Sequence, residues 1–301
     1  MTSSRALTLL AIIVWAAVAI SAAPRALSHH VHSRATTSAS DSPAESCSDM
    51  HMRFDGHDSV VQSEERTITK AEAPTLRVQA ESNGGLYIEG WDKNVYSATL
   101  CKAAEAGPDA DSLLSQIHLS LQDGLLAVTG PSSHKHWGAH ILLRAPKAAT
   151  LDVQVHNGPM TIDNVDGKVR ARAENGPMTV THCSGELDLA TQNGPLTLTE
   201  NSGKQNVSSE NGPLTLTLSG DSWNGAGLEA RSTNGPVTLE VPSGYKSGVL
   251  LESEGHSPFQ CEASVCSEGR KTWDDDHKRI DFGSGPMVVR VSTANGPVSV
   301  R

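Results

Sequence analysis

The sequence predicts an all-β fold, a parallel β-solenoid of β-helix-like coils 18 residues long. Three observations carry this. Asn-Gly-Pro begins at Asn157, Asn175, Asn193 and Asn211, at spacings of 18, 18 and 18. It recurs at Asn234 after 23 residues and again at Asn295, with a partial copy at Ser284-Gly-Pro286. On both sides of each tripeptide, apolar and polar residues alternate with period two, as in a strand with one buried face. A fixed internal period of this kind outranks any local reading.

Taken in order, the chain of 301 residues opens Met1-Thr-Ser-Ser-Arg5, runs apolar from Ala6 to Ile20, and leaves through Ser21-Ala22-Ala23. One positive charge, a short apolar core and a small-residue exit read as a signal peptide over residues 1–23. The apolar run falls short of the roughly 20 residues of a spanning helix, and an uncleaved anchor is the alternative. The exit carries no cysteine, which argues against a lipid-modified N-terminus. No second apolar stretch of spanning length follows, so no transmembrane segment is expected in the mature chain. Residues 24–50 are rich in Ser, Ala, Thr and His and read as a disordered spacer. His29, His30 and His32 are read as part of that spacer rather than as metal ligands.

Residues 51–150 read as an N-terminal β region, an irregular cap continuous with the solenoid. Alternation marks strands at Thr75–Ala80, Leu86–Ile88, Val95–Leu100, Gln116–Leu121, Leu125–Val128 and His140–Pro146, with turns at Asn83-Gly-Gly and Asp123-Gly124. Residues 103–115 read as a helical turn or a loop.

Residues 151–301 read as the regular solenoid. Its corners are Asn157-Gly158-Pro159, Asn175-Gly176-Pro177, Asn193-Gly194-Pro195, Asn211-Gly212-Pro213, Asn234-Gly235-Pro236 and Asn295-Gly296-Pro297. Glycine is expected there for a positive φ that turns the chain sharply. Proline, with no N–H, suits the first residue leaving the corner. An antiparallel sandwich with Asn-Gly hairpins is the competing architecture. It places proline where a paired strand needs its N–H, and the strict spacing favours stacked coils. Met160, Met178, Leu196 and Leu214 then form one inward column, with Ile162, Val180, Leu198 and Leu216 beside it. Thr161, Thr179, Thr197 and Thr215 face outward.

The five cysteines do not make a disulfide-dense scaffold, and no CxxC pair is present. Cys261 with Cys266, and Cys47 with Cys101, are the candidate disulfides of an exported chain. Cys183 falls in the inward slot of Val165 one coil earlier and reads as a buried, inert thiol. The segment 256–282, with Cys261, Cys266 and Trp273, interrupts the repeat and is expected to loop out from one edge. The last repeat strand then leaves an edge to be covered by this insertion or by a partner chain.

Chemistry is sparse. The formal charge of −10 argues against nucleic acid. Asp274-Asp275-Asp276-His277 lacks the spacing of a calcium loop and reads as a solvated loop. His134, His136 and His140 beside Trp137 read as a polar hairpin end rather than a zinc site. Asp152, Asp163, Asp166 and Asp188 are the carboxylates a polysaccharide hydrolase or lyase on a β-helix would need. Asp152, Arg170 and Asp188 stack as alternating charge, which reads as surface pairing. No nucleophile elbow, HExxH or phosphate loop is present. No catalytic residue, metal or cofactor is assigned. Asn206-Val-Ser208 is a glycosylation sequon.

Leu86-Tyr-Ile-Glu-Gly-Trp-Asp92, followed by the repeated Asn-Gly-Pro-Val/Leu/Met-Thr-Leu/Val, resembles the putative adhesin family of bacterial envelope proteins, a group of unknown function. The resemblance covers about residues 70 to 301. It implies an all-β parallel coil domain, often exported or membrane-anchored, with no catalytic residues to carry over. The functional expectation is a non-enzymatic structural or adhesin-like surface protein, periplasmic, secreted or envelope-associated. Its partner is an unidentified protein or glycan at the cell envelope. A carbohydrate-active β-helix enzyme is the alternative.

Overall fold

Each 18-residue unit folds as one coil of two short strands separated by two corners, because the alternation switches phase at each glycine. The structure, a computed structural model, describes residues 35–37, 45–50, 52–132, 136–254, 257–274 and 276–301. These belong to one unit of the chain. The signal peptide, the histidine cluster at 29–32 and His134 lie outside the described residues.

The coils stack into two long sheets. The leading sheet holds the strands that enter each Asn-Gly-Pro corner, among them Thr150–Val155, Lys168–Asn175, Glu186–Asn193, Lys204–Asn211 and Gly227–Asn234. The trailing sheet holds the strands that leave it: Met160–Asp163, Met178–Thr181, Leu196–Thr199, Leu214–Thr217 and Val237–Glu240. All these neighbours pair parallel and in register, so Met160, Met178, Leu196, Leu214 and Val237 form one column. The core lies between the sheets. Leu196, Leu214 and Ile162 are fully buried and Leu198 is 3% exposed. The parallel solenoid holds, and the sandwich alternative does not.

The order of coils in space departs from their order in sequence at both ends of the stack. Leu76–Gln79 and Leu86–Trp91 form a coil that lies between the coil of Leu125–Thr129 and Trp137–Pro146 and the coil of Thr150–Val155 and Met160–Asp163. At the other end, Met287–Asn295 and Val298–Val300 lie between the coil at 227–240 and the strands Gly248–Glu254 and Phe259–Cys261. The last repeat coil is therefore internal. The segment 256–282 does not loop out from one edge. It supplies end strands: Phe259–Cys261 ends the trailing sheet, and the hairpin Arg270–Trp273/His277–Phe282 ends the leading sheet. The backbone hydrogen bonds that the last coil offers on its outer side are taken within the chain.

The opposite end is closed by antiparallel strands. Val95–Glu105 pairs with Trp137–Pro146 and then with Ser59–Thr69, an eleven-residue edge strand. His118–Gln122 folds back on Leu125–Thr129 through Asp123-Gly124, both with positive φ. A short helix, Ala110–Leu114, plugs this end with Ala110 and Leu114 buried.

Part of the stretch read as spacer has structure. Ala35–Thr37 pairs with Met52–Phe54, and Cys47–Asp49 forms a single 3-10 turn. Cys47 is bonded to Cys101, and Cys261 to Cys266. Met50, Met52 and Phe54 form a second small core with Cys101 and Ala103. The spacer reading does not extend to these residues, because buried apolar side chains and a covalent tie hold them. No helix among the described residues is long and apolar enough to cross a membrane.

Candidate interaction surface

The corners set the spacing of everything on the surface. A Cβ built on Gly194 would lie 2.3 Å from the Gly176 carbonyl oxygen, and one on Gly176 would lie 2.2 Å from that of Gly158. Gly158, Gly212, Gly235 and Gly296 meet the preceding corner in the same way. The expected positive φ is found at two of the six corners. Gly194 and Gly235 stand at +157° and +155°, a conformation that side chains rarely adopt, and the other four are not among the positive-φ glycines. Glycine is needed because each corner presses on the backbone of its neighbour.

Beside the glycines runs a ladder of asparagine amides. Asn175 Nδ2 donates to Asn157 Oδ1 at 2.9 Å, Asn193 to Asn175 at 2.9 Å and Asn211 to Asn193 at 3.1 Å. Asn234 and Asn295 continue it at 3.0 and 3.2 Å. Asn157 donates to Asn83 at 3.4 Å, so Asn83-Gly84-Gly85 is a seventh corner that lacks proline. The prolines contribute their carbonyls: Met178 N–H donates to Pro195 O, and Leu196 N–H to Pro213 O, both at 2.9 Å.

The two outer faces differ in kind. On the leading face, charges are tied to one another. Glu186 bridges Lys168 and Lys204 at 3.3 Å each, and these lysines hold its carboxyl below the usual range. Arg172 holds Asp188 at 2.6 Å, Arg170 approaches it at 3.9 Å, and Arg231 pairs with Glu229. A groove of about 840 Å³ on this face is lined by Glu186, Asp188, Lys204, Asn206 and Glu229. The sequon asparagine Asn206 is exposed within it.

The trailing face is free of charge over its three middle coils, between Asp163 and Glu240. Thr161, Thr179, Thr197, Thr215 and Thr238 stand in one outward column, and Thr181, Thr199 and Thr217 in a second. All eight are half-buried. Among the described residues, Thr179, Thr181, Thr197, Thr199, Thr215 and Thr238 make no side-chain hydrogen bond to the protein, and the Thr161 hydroxyl is unpartnered but buried. Thr217 Oγ1 donates to Glu240 at 3.0 Å, at the margin of the array. Tyr87 continues the first column at one end and Ser299 at the other.

The remaining candidates do not converge. Asp163 pairs with His182 at 3.2 Å, and Asp166 accepts from Ser184 Oγ at 2.7 Å. His136 pairs with Glu105 at 2.5 Å on the surface. His140 is buried beside Gly85, and desolvation lowers its pKa to about 4. Asp274 closes a turn by accepting from the Asp276 and His277 amides; Asp275 lies outside the described residues. Cys183 is buried and unpaired, and burial pushes its thiol up to about 12. Its amide donates to Asn201 Oδ1 at 2.7 Å, so the inward asparagine of the next coil is satisfied within the stack. Among the described residues, Glu64, Glu72, Glu186, Asp221 and Asp281 are the carboxyls with displaced pKa, and all are lowered. A general acid needs the opposite displacement. No group of three potential metal ligands occurs among the described residues.

Fold and surface define the class: a two-sheeted parallel β-solenoid with one charge-paired face and one threonine face. No protein-family model matches the chain, and no curated protein is similar to it. Among solved structures it is similar to a putative cell adhesion protein from Clostridium sporogenes, at 12% identity and TM-score 0.33, over 80% of this chain and 99% of the other. A putative adhesin from Parabacteroides merdae matches at 9% identity and TM-score 0.33, over 80% and 96%. A putative lipid binding protein from Parabacteroides distasonis matches at 9% and 0.32, over 80% and 97%. Likenesses this distant transfer neither ligand nor activity, and both are argued from this chain's own geometry.

Proposed function

We propose that the protein is a non-enzymatic, exported interaction module that works at the cell envelope through its threonine face. The observation that supports this is the contrast between its two broad surfaces. On the leading face Lys168, Glu186, Lys204, Arg172 and Asp188 satisfy one another, while Asp152 Oδ1 has no partner, and an incoming ligand must break those pairs to gain their charges. On the trailing face Thr179, Thr181, Thr197, Thr199, Thr215 and Thr238 offer hydroxyls with no protein partner on a rigid, in-register lattice. A preorganised polar surface loses little entropy on binding. Its partner is a protein or glycan of the envelope.

The enzyme alternative draws little support from the candidate carboxylates: Asp188 is held by Arg172, Asp163 by His182 and Asp166 by Ser184, and Asp152 Oδ1 is buried with no partner. The test is binding of the mature protein to an immobilised glycan array and to envelope fractions, with wild type compared with Thr197→Tyr and Asn206→Tyr. The expected outcome is binding that the threonine-face variant loses and the leading-face variant keeps. Release of reducing sugar from a polysaccharide, or binding that Asn206→Tyr alone abolishes, would overturn the reading.

A further inference from the structure

The threonine array is periodic in two directions. Along the stack, in-register parallel strands repeat every ~4.8 Å. Along each strand, alternate residues are about 6.6 Å apart. Thr179, Thr197 and Thr215 fill one column and Thr181, Thr199 and Thr217 the next. Thr238 extends the first column on one side, and on the other Thr161 continues it with its hydroxyl buried. Each site presents one hydroxyl and one methyl, so the face is a grid of hydrogen-bonding points separated by apolar points.

From this grid we propose that the face binds ice, that is, water ordered as a crystal lattice. The proposal rests on the reading of the threonine face as the interaction surface and gives that face a second ligand beside its envelope partner. Four features favour a water lattice. The rung repeat stands a little above, and the along-strand repeat a little below, the two oxygen repeats on a prism face of hexagonal ice. Six hydroxyls lack protein partners, so they bond to water, and bridging water fixed by a rigid polar array costs little further entropy. The central three coils carry no ionic group in these two columns, and an ion would orient water radially around itself. Aromatic rings, which would stack on the C–H faces of sugars, are absent from the array, where Tyr87 alone stands at one end. The asparagine ladder and the glycine contacts fix the rung spacing one corner away, which keeps the grid in register from coil to coil.

The experiment uses the mature protein and ice itself as the probe. Thermal hysteresis and incorporation into a slowly growing ice front are measured for wild type, for Thr197→Tyr with Thr199→Tyr, for Thr197→Val, and for Asn206→Tyr on the opposite face. Circular dichroism and Tm confirm that each variant is folded. Wild type should show hysteresis, faceted crystals and enrichment in the ice fraction. The double tyrosine variant should lose all three, Thr197→Val should lose part, and Asn206→Tyr should match wild type. Absence of hysteresis and of incorporation in wild type overturns the proposal, as does equal loss from the leading-face variant. A face that leaves ice unshaped but holds an envelope glycan sinks the ice proposal alone. Loss of glycan and ice binding only through leading-face variants sinks the interaction-surface reading as well. Should the double variant fail to fold, Thr197→Val, nearly isosteric, decides the outcome.

Discussion

Replacing Gly212 by alanine tests whether the corners are selected for backbone conformation or for contact between coils. The added Cβ would stand 2.2 Å from the Gly194 carbonyl oxygen and 2.7 Å from its carbon, at a glycine whose φ is not positive. Both are backbone atoms, so neither can swing aside as a side chain would. Overpacking of a well-packed site costs about 1–3 kcal/mol, and backbone against backbone belongs at the upper end. At about 3 kcal/mol, a domain of this size should lose about 6–12 °C of Tm. Gly107→Ala is the control: nothing lies within 4 Å of its Cβ, and its φ is not positive. That variant should be neutral or gain about 0.4–1 kcal/mol by restricting the unfolded chain. Gly212→Asn separates the two explanations further. Asparagine tolerates the left-handed region, so a conformational origin predicts that it nearly restores stability. Contact predicts that it is at least as damaging as alanine. Thermal denaturation followed by circular dichroism reads all three. A Gly212→Ala variant within error of Gly107→Ala, or a stable Gly212→Asn, would refute the contact argument.

Two further predictions concern the N-terminal cap. His140 is neutral when folded, with its pKa lowered by desolvation to about 4 from an ordinary value of 6.5. The unfolded chain takes up a proton first as pH falls, so stability should drop from about pH 6.5 and level off below about 4, by about 3 kcal/mol in all. Urea midpoints across that range measure it, and a His140→Leu variant with an equally steep acid limb would contradict the assignment. The Cys47–Cys101 bond spans 54 residues and in the chain-entropy view contributes about 4 kcal/mol. A Cys47→Ser variant should lose most of that in urea titration and expose Met50, Met52 and Phe54 to a hydrophobic dye. An unchanged midpoint would show that the small second core holds without its tie.

The repeat was legible because identical residues recur at a fixed period, and period plus alternation specifies which side chains face inward. The reason for the glycines was not legible. A glycine needed for positive φ and one needed for close approach look alike until the neighbouring backbone is in place. Asn83 escaped the motif because Gly85 stands where the other corners have proline. The signal was there in the alignment of Asn83-Gly-Gly-Leu-Tyr-Ile with Asn157-Gly-Pro-Met-Thr-Ile. The edge strand Ser59–Thr69 gave little warning, since one face of it is solvent and its middle reads Ser-Glu-Glu-Arg. The threonine columns were legible as outward positions. That their hydroxyls stay unpaired while the opposite face pairs its charges depends on side-chain reach across coils, which spacing does not encode.

Coil order was the least legible feature, because every coil offers its neighbours nearly the same hydrogen-bonding edge. Alternation decides inside from outside and says nothing about which coil sits next to which. The consequence is physical. In a solenoid whose coils stack in sequence order, the last coil has one neighbour and frays first. Here residues 287–300 have a coil on each side. Val298 N–H donates to Pro258 O and Arg301 N–H to Leu239 O, both at 2.9 Å, so this segment is held from both directions. Opening it requires displacing Gly248–Glu254 and Phe259–Cys261 first, or pulling two interfaces apart together. Native-state hydrogen exchange should therefore find residues 289–300 protected to the level of the coils at 186–217. The end strands at 259–261 and 270–273 should exchange first. A profile in which protection falls steadily from the middle of the stack to residue 300 would mean that the last coil lies at an open edge, and the interleaved order would be wrong.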